Sequence, residues 1–314
     1  MGQRTWFGGI GEFTNIFDWV SPGPLTSGDF LTISHGIVRA SEEVISGYHI
    51  VLAGPTDNSA PTLVLKNVVL DSDLHVQPYR IGPISNPNDA PAHARMTVAG
   101  AMVNNEFMTV GFSPMSNPAQ LSGQDLPVVE PLVPPQTSWP PPPPASLNVT
   151  VRPGGVMING GTVNVAQFST LNIRDVRDAG MFLNNGLVTS YGTTEFDLPV
   201  SGNGVFTVRG NVEFGDSVDA GSVVYLDGGH LVLDKPMEFL GTIDHVRSGL
   251  NSTIELKGAH VTSFAVDDSK LNLLNGQQLV AELDFSEPIS SPTISLSNHD
   301  GSAFVALDSY VSVS

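Results

Sequence analysis

From Leu147 onward, apolar and polar residues alternate in runs only four or five residues long. Leu147-Asn148-Val149-Thr150-Val151 is followed by Gly155-Val156-Met157-Ile158 and Gly161-Thr162-Val163-Asn164-Val165. The same text returns at Thr170–Ile173, Val205–Val208, Asn211–Phe214, Ser222–Leu226, His230–Leu233, Ser252–Leu256 and Lys270–Leu273. A period of two puts successive side chains on opposite faces, one dry and one wet, and predicts strands. Segments this short are brief for a sandwich and fit the rung faces of a solenoid. Between them stand Asn159-Gly160, Asn185-Gly186, Asn203-Gly204, Asp227-Gly228 and Asn275-Gly276. Such pairs supply the positive-φ residues of sharp corners, and they are equally hairpin signals. Parallel rungs and antiparallel meanders therefore both remain open on pattern alone.

The N-terminal half carries a less regular version in Asp29–Ile33, Tyr48–Leu52, Thr62–Leu65, Leu74–Val76 and Arg95–Val98, with a loop expected over Pro83–Pro91. Prolines break the pattern near the middle, where Leu132-Val133-Pro134-Pro135 is followed by Trp139 and Pro140 through Pro144. Proline lacks the N–H that a central strand needs, so this stretch is expected to be extended polyproline II. The chain thus divides into a β-rich region with a cap over 1–127, a proline-rich linker or excursion over 128–146, and a β-solenoid over 147–314. The simpler reading of the proline segment is a spacer or surface strap; the other is a docking peptide for an aromatic groove. Both halves also fit a single solenoid from which the proline segment loops out.

Composition narrows the function classes. Of 314 residues only 14% are charged, while Gly (32) and Pro (24) are abundant, which disfavours long helices. A net charge of −18 repels nucleic acid and anionic membranes. The absence of cysteine excludes disulfides, thiolate metal sites and cysteine nucleophiles. No run reaches the ~18 apolar residues of a membrane helix, so no membrane insertion is expected. Met1–Phe13 lacks a basic stretch followed by an apolar one, so no signal peptide is expected there.

The opening Thr5-Trp6-Phe7-Gly8-Gly9-Ile10-Gly11-Glu12-Phe13, then Asp18-Trp19, then Gly28-Asp29-Phe30-Leu31-Thr32-Ile33, resembles the start of bacterial autotransporter passengers and filamentous adhesins. Gly221–Leu233 is similar to the repeats of such passengers. The resemblance covers most of the chain through motifs of low specificity, mainly glycine, asparagine and aliphatic alternation. It departs at the C-terminus, where Phe304–Ser314 is not a membrane barrel. The expected fold is all-β, a right-handed parallel β-helix (solenoid), with a β-sandwich or meander as the alternative.

No catalytic motif is present: neither a Gly-x-Ser-x-Gly elbow nor a phosphate-binding loop occurs. The densest charged cluster is Arg174-Asp175-Val176-Arg177-Asp178. Arg174, Asp175 and Asp178 are glycan or cation candidates, since polysaccharide-degrading β-helices set acids beside a base in a groove. The plainer reading is a solvated turn with weak ion pairs. Asp267 and Asp268 are a second cation candidate, for a weak surface Ca²⁺ lacking the full loop pattern. Eight histidines without His-x-x-x-His or His-x-His spacing give no indication of zinc, so no metal or other cofactor is expected. Trp6, Phe17 and Trp19 are expected to pack an N-terminal cap, with a glycan-stacking platform as the alternative.

These readings converge on an extracellular or bacterial cell-surface protein, structural or adhesive, without enzymatic activity. It is expected to self-assemble end to end or laterally into surface fibres or biofilm matrix. Partners other than itself are expected to be surface glycans or host and cell-surface proteins. A glycan-binding or polysaccharide-degrading β-helix and a phage-type tail fibre or spike are the alternatives.

Overall fold

The computed structural model describes residues 3–6, 8–15, 19, 25–54, 60–76, 91–111, 144–177, 179–244, 252–289 and 294–307. Most of the proline-rich segment, together with Phe17 and Asp178, lies outside them. The described chain is all-β, one large mixed sheet that is not closed into a barrel. Its first half contains β1 (Gln3–Thr5), β2 (Ile10–Glu12), β3 (Phe30–Ile33), β4 (Ile37–Ser41), β5 (Val44–Leu52), β6 (Thr62–Val76), β7 (Ala92–Asn104) and β8 (Phe107–Val110). Next come β9 (Ala145–Val151), β10 (Val156–Asn159), β11 (Thr162–Val165), β12 (Thr170–Asp175), β13 (Met181–Asn184), β14 (Leu187–Ser190), β15 (Thr193–Asp197) and β16 (Val200–Ser201). Then follow β17 (Val205–Val208), β18 (Asn211–Phe214), β19 (Val223–Leu226), β20 (His230–Leu233), β21 (Thr242–Asp244) and β22 (Ser252–Leu256). The last are β23 (Ser263–Asp267), β24 (Lys270–Asn275), β25 (Gln278–Phe285), β26 (Ile294–His299) and β27 (Ser302–Leu307).

Strand pairing resolves the ambiguity that alternation left open. Strands close in sequence do not pair as hairpins along most of the chain; each pairs in parallel with its counterpart one turn later. The first ladder runs β1, β3, β5, β6, β8, β11, β14, β17, β19, β21 and the end of β25. The second runs β2, β4, β6, β7, β9, β12, β15, β18, β20 and β22. The third joins parts of β5, β6 and β7 to β10, β13 and β16, and continues as single bridges through Val218 and Phe239. Because β9 lies on β7 and β11 on β8, the ladders continue across the proline-rich insertion. Among the described residues, antiparallel strand pairing occurs at the C-terminal end, where β27 lies on β22, β26 on β27, and β23–β24–β25 form a meander, and elsewhere only as the single bridges Trp6–Trp19 and Gly54–His93.

Register stacks like on like. On the second ladder Leu171, Thr194, Val212, Leu231 and Ile254 follow one another inward, all buried. Phe196 and Phe214, also register partners, stack with ring centroids 5.4 Å apart, and Phe206 meets Phe214 edge-on at 5.3 Å. Each buried aromatic contributes about 1.5–3 kcal/mol by leaving water. Trp6 and Trp19 pack edge to face at 5.3 Å, both fully buried, and the Trp19 indole N–H donates to Phe13 O at 3.0 Å.

One buried column is polar. Asn104, Asn159 and Asn184 end successive third-ladder strands and are 0% exposed. Asn104 Nδ2 donates to Asn159 Oδ1 at 3.0 Å, and Asn159 Nδ2 donates to Asn184 Oδ1 at 2.8 Å. Asn184 Nδ2 also reaches Val205 O at 3.3 Å, tying the corner to the following strand.

The Asn-Gly corners differ from expectation. Gly228 and Gly276 do take positive φ, at 79° and 64°, but Gly160, Gly186 and Gly204 do not. Glycine is required at Gly186 by closeness instead: a Cβ there would lie 2.1 Å from Gly161 O, one turn below. The corner stacks backbone on backbone, leaving no room for a side chain.

The amide column yields a stability prediction. Asn159→Ala removes one hydrogen bond from each of the buried Asn104 Nδ2 and Asn184 Oδ1, which keep only their longer backbone contacts, and costs about 1–3 kcal/mol. The urea midpoint is expected to fall accordingly, whereas Asn203→Ala, at a surface corner, leaves it nearly unchanged.

Candidate functional site

The second ladder turns charged residues outward over consecutive turns. In β12, β15 and β18 the odd positions face solvent because their even neighbours Leu171, Ile173, Thr194, Phe196, Val212 and Phe214 fill the interior. Register then places Asn172, Glu195 and Glu213 in one row, and Arg174 beside Asp197 in the next. Asp234 and Lys257 extend the second row, since Asp234 N donates to Phe214 O and Lys257 N to Leu233 O. Adjacent strands of a ladder are about 4.8 Å apart, so Glu195 and Glu213, register partners, are like charges held side by side.

Lys257 sits at the end of this strip. Its Nζ contacts Glu213 Oε1 and lies 3.2 Å from Asp234 Oδ1. Burial acts to lower the Lys257 pKa, but the two carboxylate contacts outweigh it and the ammonium is held above its ordinary range. Glu195 and Asp197 are also held above the ordinary carboxyl range. Burial raises Glu195 first, and Asp197 and Glu213 add to the rise. Burial likewise raises Asp197, with Asp234 next, while Arg174 and Lys257 partly offset it. The arrangement can bind a cation or a polyhydroxyl ligand, and it offers protonatable carboxyls beside fixed positive charges.

Of the residues singled out from sequence, Arg174 belongs to this strip and Asp175 borders it. The Asp175 carboxylate accepts a hydrogen bond from Gly180 N at 2.7 Å, closing a local loop. Asp178 lies outside the described residues. Asp267 and Asp268 form the β23–β24 corner, with Asp268 at φ 56° and both side chains exposed. Among the described residues, no third potential ligand joins Asp267 and Asp268. The one three-ligand grouping there is His49, Asp73 and His75. Trp6 and Trp19 are buried against each other and present no stacking face.

Sequence reasoning missed Glu195, Asp197, Glu213, Asp234 and Lys257. A signal existed: Glu195-Phe196 and Glu213-Phe214 recur at the same place in consecutive turns. It becomes visible only when the chain is aligned on its own turn length.

Comparison with protein-family models and with curated proteins returns no match. No helix among the described residues is long and apolar enough to cross a membrane.

A pH dependence follows from the strip. Raised native carboxyl pKa values mean that the folded state binds more protons than the unfolded one between the ordinary and the raised pKa. Stability from these groups is therefore lost as pH rises through that window. Glu195→Gln is expected to raise the stability read from urea denaturation at pH 7.5, by up to about 1 kcal/mol for such a partly screened group. The gain disappears when the comparison is repeated below the ordinary carboxylate range.

Proposed function

We propose that this chain is an extracellular structural or adhesive module, built as a parallel β-helix and displayed at a bacterial surface. The observation that carries this reading is the unbroken first ladder, which stacks strands in parallel from β1 to the end of β25. Ten spacings of about 4.8 Å give an axial length near 50 Å. Such a stack buries one side of every strand and offers the other as an ordered polar surface, suited to a scaffold or to broad, shallow adhesion. The resemblance of Thr5–Ile33 and Gly221–Leu233 to autotransporter passengers and filamentous adhesins points the same way. Partners on this reading are surface glycans, cell-surface proteins or further copies of the chain. The antiparallel strands over the C-terminal end favour lateral contact, or contact at the β1–β2 edge, over continuous end-to-end growth.

A second reading rests on the raised Glu195 and Asp197 carboxyls beside Arg174 and Lys257, a set compatible with a polysaccharide-active enzyme. The two are separated by incubating the full chain with neutral and acidic polysaccharides. The structural reading expects retention on glycan surfaces, or assemblies seen by light scattering and negative-stain microscopy, with no release of reducing ends. Release that Glu195→Gln abolishes establishes the enzyme instead. A stable trimer by mass measurement favours the tail-fibre alternative.

A further inference from the structure

The strip on the second ladder does not involve the histidines of the first. There, three ligating side chains meet that are not contiguous in sequence. β5 and β6 pair in parallel with His49 opposite Asp73, and Asp73 and His75 share the outer face of β6 two residues apart. Leu74 and Val76 point inward between and beyond them, fully buried. Ligand atoms of His49, Asp73 and His75 all lie within 4.8 Å of one another, and His49 Nδ1 is 2.9 Å from Asp73 Oδ2. The His49 ring is further held by stacking on Phe30, centroids 4.7 Å apart and planes 21° from parallel.

We propose that His49, Asp73 and His75 form a binding site for a first-row divalent transition metal of the zinc class, with remaining coordination positions open to water or ligand. Bonds of about 2.0–2.2 Å in tetrahedral geometry set donor atoms roughly 3.4 Å apart. The observed cluster needs only side-chain rotation to reach that. Two imidazole nitrogens and one carboxylate oxygen suit zinc, cobalt or nickel. They do not suit calcium or magnesium, which take oxygen donors almost throughout. The donors stand on paired strands rather than on loops, so their spacing is fixed by the ladder. An ion held between His49 and Asp73 pins two successive turns together, and three protein ligands leave a position free, as in metal sites that bind a further ligand.

The test uses the full, tag-free chain, stripped with chelator and titrated with Zn²⁺ alone by calorimetry, then with Co²⁺ followed by visible absorption. The wild-type chain is expected to take up one equivalent, with Co²⁺ bands of an ordered low-symmetry site. Asp73→Asn and His75→Ala are each expected to weaken uptake by at least about tenfold, the scale on which even supporting groups act. His260→Ala, at an exposed position away from the site, is expected to leave uptake unchanged. Zn²⁺ is also expected to raise the melting temperature of the wild-type chain and of His260→Ala, but not of Asp73→Asn. The melting measurement confirms that each variant is folded before titration. Uptake that survives both site substitutions in folded variants, or no saturable uptake by the wild-type chain, overturns the proposal.

Discussion

Backbone hydrogen bonds between consecutive turns hold each outer or inner residue against its counterpart one turn on, about 4.8 Å away. Everything else in the molecule inherits that spacing. Inward, it stacks Phe196 on Phe214 and closes the interior without long side-chain reach. At the corner it brings Asn104, Asn159 and Asn184 to amide hydrogen-bonding distance, so each buried amide of the row bonds to the next. Outward, the same spacing is indifferent to charge. It sets Glu195 beside Glu213 at an electrostatic cost, which Lys257 offsets in part, and sets His49 beside Asp73. One geometric rule therefore generates the core, the corner and both polar clusters.

The strands were legible because alternation at period two survives in runs as short as Val205–Val208 and Asn211–Phe214. Their partners were not. A strand with one dry face carries the same text whether its neighbour runs parallel or antiparallel, and the chain uses both, parallel along the ladders from β1 to the end of β25 and antiparallel where β23–β24–β25 and β22–β27–β26 pair. Asn159-Gly160 was readable as a corner, yet the role of Asn159 depends on Asn104 and Asn184, which only register brings near. His49 and Asp73 likewise look unrelated until β5 is laid on β6. Arg174 was recognised through its charged sequence neighbours, whereas the residues it actually joins are one or more turns away.

Turn length varies widely while the ladders stay in step. Leu187, Val205, Val223 and Thr242 are successive first-ladder partners, so those turns take 18, 18 and 19 residues. Phe107 and Thr162 are also partners, so that turn takes 55 and accommodates the proline-rich stretch. Loop closure grows costlier only slowly with length, so an insertion at a corner burdens the stack little. The regular 18-residue turns coincide with the phenylalanine-filled interior, and longer turns lie on both sides of it: 55 residues from Phe107 to Thr162, and 42 from Thr242 to Asp284. The ladders thus stay in register through turns of very different length.

The antiparallel strands at the C-terminal end alter how the molecule bears load. Ladder hydrogen bonds run from turn to turn, so a pull that draws the first strand away from the stack opens one turn before it reaches the next, like a zipper. Each 18- or 19-residue turn then releases roughly 60–70 Å of extended chain at about 3.3–3.6 Å per residue. From the other end, β27 runs against β22 and is covered in turn by β26, and a tug on the chain after β27 meets pairings of opposite polarity before any turn is loaded. The two ends of the stack therefore differ as handles: one peels stepwise, and the other must first strip off a clasp.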